Sequence, residues 1–132
     1  MHASPLTAAV TLLIVLILFG TAARVGLARK RHGIIAPTTT GHPAFERAYR
    51  VQMNTLEWAV MTLPCLWLAA AFASDAVAAG LGLVWCVGRV WYALAYLRDP
   101  GSRGAGFLLA ALAFGALGVM AAFGVGRALL GG

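Results

Sequence analysis

Glu46-Arg47-Ala48-Tyr49-Arg50-Val51-Gln52-Met53-Asn54-Thr55-Leu56-Glu57-Trp58 holds four charged residues in thirteen positions and opens directly into Trp58 to Ser74, which has none. An ionisable group inside a membrane span costs a few kcal/mol on insertion scales, so such groups are rare and usually functional. The stretch predicts a helix that enters an apolar layer and carries a polar binding function with it.

The remainder of the chain agrees with a membrane setting. Of 132 residues, 61% are apolar and 11% charged, unlike a soluble globular domain. A span needs about 20 mostly apolar residues. Leu6 to Ala23, Trp58 to Ser74 and Gly104 to Gly126 are uncharged, and Ala76 to Leu97 contains only Arg89. The expectation is an all-α membrane protein, an up-down bundle of four transmembrane helices. The spans fall near 5–28, 50–73, 77–97 and 104–127 of a single integral domain covering 1–132. The first stretch follows only His2 and lacks the basic start and small-residue cleavage site of a signal peptide, so it reads as a retained span.

The net charge of +6 is unevenly distributed. Arg24, Arg29, Lys30, Arg31, Arg47 and Arg50 cluster around the first connection, and Arg98 and Arg103 around the third. The second connection has only Asp75, and Arg127 stands alone near the C-terminus. The positive-inside rule puts connections one and three in the cytoplasm and both termini opposite. Topology thus accounts for the basic excess, and no nucleic-acid partner is expected. Cys65 and Cys86 lie in apolar spans and read as small hydrophobes. No metal or haem is expected, because His2, His32 and His42 fall in termini or loops while a bundle haem needs histidines within the spans. No catalytic Ser-His-Asp grouping, P-loop or dinucleotide fingerprint is present.

Local signals set the helix limits. The first helix is expected from Pro5 to about His32 with Gly33 as its stop, and Gly33 to Pro43 is a loop rich in Pro, Gly and Thr. The second runs from Ala44 to about Ala73, the third ends near Arg98, and Asp99-Pro100-Gly101-Ser102 forms a turn. The Ala- and Gly-rich fourth helix suits close packing in lipid.

At 100° per residue, Glu46, Arg47, Asn54 and Glu57 fall at about −40°, +60°, +40° and −20° from Arg50, one stripe roughly 100° wide. Gln52 falls on the opposite face, at about 200°. Polar groups on both faces predict a helix enclosed by protein on two sides, as in an oligomer. Glu46, Arg47 and Arg50 also suit a helix start in the aqueous interface, whereas Asn54 and Glu57 lie deeper. Arg89, Tyr92 and Tyr96, spaced i, i+3, i+7, share a face of the third helix, and Glu57 is the expected partner of Arg89. Arg29, Lys30, Arg31 and Arg103 read either as positive-inside flanks or as an anion clamp, Arg being suited to bidentate carboxylate binding.

The run Pro37-Thr38-Thr39-Thr40-Gly41-x-Pro43-x-Phe45-Glu46-Arg47-x-Tyr49-Arg50-x-Gln52-x-Asn54-x-x-Glu57, with Arg89-x-x-Tyr92-x-x-x-Tyr96, resembles the MAPEG superfamily of membrane-associated proteins in eicosanoid and glutathione metabolism. The resemblance covers nearly the whole chain and points to the branch of microsomal glutathione transferase and cysteinyl-leukotriene synthase. It implies a homotrimer of four-helix bundles with glutathione as co-substrate, bound between subunits near the cytosolic side. Arg50, Asn54, Glu57, Tyr92 and Tyr96 would hold glutathione on one subunit, with Arg29 and Gln52 supplied by the neighbour. Arg103 would stabilise the thiolate for attack on a lipophilic electrophile, with hydroperoxides as a second acceptor class. Trp58 stands where the leukotriene-forming branch has a glutathione-contacting tyrosine, and Lys30, an auxiliary position with Arg89, stands where that branch has a second arginine. Both departures favour a detoxification enzyme. Two alternatives are a non-catalytic lipid-binding scaffold, which the resemblance says would lack Arg103, and a small multidrug transporter, which would need a carboxylate absent from Leu6 to Ala23.

Overall fold

The computed structural model describes residues 4–131, so His2 lies outside the described residues. Four helices, α1 (Pro5–His32), α2 (Pro43–Phe72), α3 (Asp75–Arg98) and α4 (Gly104–Leu129), pack together, with a short 3-10 segment, Pro100–Arg103, leading into α4. All four are long and apolar enough to cross a membrane.

Each boundary has a local cause. Pro5 opens α1, where its missing N–H costs nothing. Gly33 closes it at φ 65°, a left-handed conformation open to glycine, and returns its N–H to the Arg29 carbonyl. Pro43 opens α2, one residue before the expected start, and His42 Nδ1 caps it by accepting the Ala44 N–H at 3.2 Å. Ser74 Oγ accepts the Val77 N–H at 3.3 Å to start α3. After α3, Asp99 Oδ1 accepts the Gly101 N–H at 3.1 Å, and Ser102 Oγ donates to the Asp99 carbonyl at 2.8 Å. These bonds turn the chain tightly into α4.

The interior is built from Ile14, Leu66, Trp85 and Leu117, with alanines between them. It also encloses Thr7, Thr55, Thr62 and Arg89, while Leu12, Leu16, Phe19, Val119 and Phe123 point outward. A surface of large apolar side chains fits a hydrocarbon solvent. Without water in that solvent, the helices approach through small residues. A Cβ on Gly88 would lie 2.6 Å from the Ala110 nitrogen, and one on Gly106 would strike the Tyr92 backbone. The α3–α4 contact is therefore backbone against backbone, and it fixes where α4 begins relative to α3.

Asp75, the first residue of α3 and just outside the apolar span expected from about 77, ties the far end of the bundle. Its Oδ1 and Oδ2 accept the Thr7 and Leu6 N–H groups at 2.9 and 3.1 Å, donors that the first turn of α1 leaves free. Desolvation raises the Asp75 pKa, but the hydrogen bonds from Thr7 and Leu6 outweigh it and hold the carboxyl below its ordinary value.

Two expectations follow. Gly106→Ala should cost about 2 kcal/mol by overpacking a contact that cannot yield. Gly80→Ala, where a Cβ meets nothing within 4 Å, should be neutral or stabilise by up to about 1 kcal/mol; chemical denaturation in detergent compares them. A carboxyl whose pKa falls on folding contributes stability that is present above its unfolded value, about 3.9, and lost as pH drops through the lower native one. Asp75→Asn should therefore lower the melting temperature at pH 7, and its difference from the parent should disappear on acidification through that native value.

Candidate functional site

Three helix segments converge at one end of the bundle. The start of α2 contributes Arg50, Asn54 and Glu57, the end of α3 contributes Tyr92 and Tyr96, and the turn into α4 contributes Gly101, Arg103, Gly104 and Phe107. Together they line an open crevice of about 750 Å3, within the range of small-molecule sites. Two guanidiniums, one carboxylate, one amide and two phenols face a single space. Such a set can hold a zwitterionic ligand with more than one carboxylate.

Arg103 stands at the mouth. Its Nη1 donates to the Pro100 carbonyl at 2.6 Å, and its guanidinium carbon lies 5.5 Å from the centre of the Tyr96 ring. Tyr96 in turn packs on Tyr92 with ring centres 5.6 Å apart. Arg103 thus leans on a fixed aromatic surface and stays exposed toward the crevice. Phe107, one turn further along α4, closes the apolar side with its ring 6.2 Å from that of Tyr92.

Beneath the crevice lies Arg89, fully buried. The expected pairing with Glu57 does not form. Arg89 Nη2 donates instead to Asn54 Oδ1 and Thr55 Oγ1, both at 2.9 Å, and the guanidinium sits 4.2 Å from the Tyr92 ring centre. From Arg50, Asn54 and Thr55 fall at about +40° and +140° around α2 and Glu57 at about −20°, so Arg89 meets one flank of the stripe, and Glu57 remains exposed on the crevice wall. Arg89 Nε and Nη1 are buried without hydrogen-bond partners.

The rest of the polar stripe divides by role. Glu46 Oε1 accepts the Gly41 N–H at 3.0 Å, and Arg47 Nη1 reaches the Arg98 carbonyl at 3.5 Å. These two tether the loop and the end of α3. Arg50 and Tyr96 also line a smaller adjoining hollow of about 380 Å3 beside Thr39 and Thr40, which extends the crevice toward the loop. Trp58 is not among the lining residues. It is half-buried, edge-on to Phe107 and Phe114 at 5.2 and 5.4 Å, so it supports the apolar wall from behind. Gln52 does not line the crevice. Arg29 lies elsewhere, its Nη1 donating to the Thr38 carbonyl at 2.6 Å and its guanidinium 4.7 Å from the Phe45 ring centre. Lys30 is exposed near the end of α1. Sequence reasoning missed Thr55 and Phe107. The second was within reach, since Phe107 stands four residues after Arg103 on one helix face.

Residues 7–123 match the sequence model of the MAPEG family. An uncharacterized protein of Synechocystis sp. is 47% identical over 88 residues, 67% of this chain and 64% of that protein, so the match spans just under two thirds of that relative. Leukotriene C4 synthase of Bos taurus is 38% identical over 120 residues, 91% of this chain and 80% of the relative. Microsomal glutathione S-transferase 2 of Homo sapiens is 33% identical over 109 residues, 83% and 74% of the two chains.

Arg89→Ala should destabilise the protein by about 3 kcal/mol, since it opens a cavity and strands Asn54 Oδ1 and Thr55 Oγ1. Denaturant unfolding in detergent measures this, and Glu57→Gln serves as the comparison, expected to change stability by less than about 0.5 kcal/mol.

Proposed function

The chain belongs to the MAPEG family of multi-pass membrane proteins, and from that premise we propose that it is a glutathione transferase. One observation carries the reading: Arg50, Asn54, Glu57, Tyr92, Tyr96 and Arg103, from three helix segments, face one crevice. Glutathione presents two carboxylates, an ammonium and a thiol. Arg50 takes a carboxylate, Glu57 the ammonium, and Asn54 and Tyr92 the peptide groups between them. The thiol then comes to Arg103 and Tyr96.

A free thiol has a pKa of about 8.5 and is mostly protonated at neutral pH. The Arg103 guanidinium favours the anion, and the positive end of α4 adds to it. The thiol proton leaves to water. The thiolate sulfur forms a bond to an electrophilic carbon, and the electron pair displaced from that carbon departs with the leaving group or, in an addition, takes up a proton. The acceptor is lipophilic and arrives along the apolar wall of Phe107. A lipid hydroperoxide is a second acceptor class, with a second glutathione closing that reaction as the disulfide.

The proposed assembly is a homotrimer of up-down four-helix bundles, one domain over 1–132, with glutathione sites between subunits. Arg29 and Gln52, which lie outside the crevice of their own chain, would reach the site of a neighbour. By the positive-inside rule these sites would lie at the cytoplasmic side, with both termini opposite. Lys30 in place of a second arginine and Trp58 in place of a tyrosine favour small lipophilic electrophiles over leukotriene formation.

Arg103→Ala should retain glutathione binding by calorimetry, lose the ultraviolet absorbance of the bound thiolate, and turn over 1-chloro-2,4-dinitrobenzene about 100-fold more slowly. Unchanged turnover would remove Arg103 from this role, and absence of glutathione binding in the parent protein would overturn the reading as a whole.

A further inference from the structure

Away from the crevice, a groove runs between α1 and α3 over part of α2. Its apolar half is two hollows of about 480 and 320 Å3 that share Ile17, Val90 and Leu94. Toward the loop end the second hollow shares Arg24, Ala48 and Leu97 with a third, of about 420 Å3, whose lining adds Arg31 and His32. The three form one channel from Leu13 to His32, about 28 Å along α1.

Its two ends differ in chemistry. Apolar side chains, Trp91 among them, line one, and two arginines stand over the other. Among the described residues no carboxylate lines the groove, and neither Arg24 nor Arg31 has a hydrogen-bond partner. Partial desolvation, together with His42 and Arg31, pulls His32 below the ordinary imidazole value. The two guanidiniums of Arg24 and Arg31 stand at this end. Gly20 keeps the middle open, since a Cβ there would meet nothing within 4 Å.

We propose that this groove binds an anionic phospholipid, with its phosphate on Arg24 and Arg31 and one acyl chain between α1 and α3. Guanidiniums suit phosphate oxygens in a bidentate fashion. Basic pockets between membrane helices at their polar ends select anionic head groups. A free phosphate would leave the apolar length unused, and a zwitterionic lipid would bring its own ammonium beside the two guanidiniums. The inference uses none of the crevice residues and stands independently of the glutathione reading.

Native mass spectrometry of the full-length protein in non-ionic detergent tests it, with phosphatidylglycerol and phosphatidylcholine of identical acyl chains supplied together. Phosphatidylglycerol adducts should exceed phosphatidylcholine adducts about tenfold. Arg24→Gln with Arg31→Gln should abolish that preference, and the double lysine variant should keep most of it. Gly20→Leu, which fills the groove without touching its charge, should lower uptake of both lipids; it carries the test if the glutamine variant does not fold. Arg127→Gln should change nothing. Equal uptake of the two lipids, a preference that survives the double glutamine substitution, full uptake by Gly20→Leu, or displacement of the lipid by inorganic phosphate would each overturn the proposal.

Discussion

A guanidinium without a carboxylate sits at the centre of this bundle, and much of the site depends on it. In hydrocarbon every polar group must find its partner within the protein. Arg89 meets that demand in part, through one nitrogen shared by Asn54 and Thr55 and through the face of Tyr92, while Nε and Nη1 are left without hydrogen-bond partners. The arrangement stitches α2 to α3 below the crevice. It also fixes two crevice residues from behind, since Asn54 and Tyr92 each offer one side to Arg89 and the other to the open space. Had Arg89 taken Glu57 instead, the crevice would have lost its only carboxylate to an internal ion pair.

The second constraint is steric. Gly88 and Gly106 bring the backbones of α3 and α4 into contact at Ala110 and Tyr92. The contact at Gly106 lies three residues after Arg103, so the start of α4 cannot drift from the end of α3. Arg103 needs this anchoring because its own side chain is exposed and held by a single carbonyl bond and the Tyr96 ring. A long, flexible cation gains direction from a rigid floor. The crevice walls are thus stiff at α3 and α4 and, through Arg89, at α2 as well.

Helix limits were legible because their signals are local: Pro5, Gly33 and Pro43 act through their own backbone or the next few residues. The polar stripe was legible as a face. The partner of Arg89 was not, since the angles along α2 do not say which flank of the stripe α3 packs against, and Arg89 met Asn54 and Thr55. Trp58 shows the same limit from another side. It lies about 100° around the helix from Glu57, and edge contacts with Phe107 and Phe114 draw it into the apolar wall. No spacing in α2 alone contains that information, because the attracting rings belong to α4.

Exposure at the crevice bears on the proposed assembly. Arg50, Glu57 and Arg103 are all exposed in the single chain. Charges facing hydrocarbon cost a few kcal/mol each even on the mildest scale. Near the polar end of a helix, snorkelling relieves Arg50 and Arg103. It relieves Glu57 less, because its side chain is shorter and it stands two turns deeper than Arg50. A covering surface that brings polar groups of its own removes that cost. The opposite face of α2, with Gln52, and the end of α1, with Arg29 braced on Thr38 and Phe45, are polar surfaces of the required kind that their own crevice leaves unused. The charges that line the crevice are the same ones that penalise a lone subunit in lipid, so in the proposed trimer assembly and completion of the site would be one event.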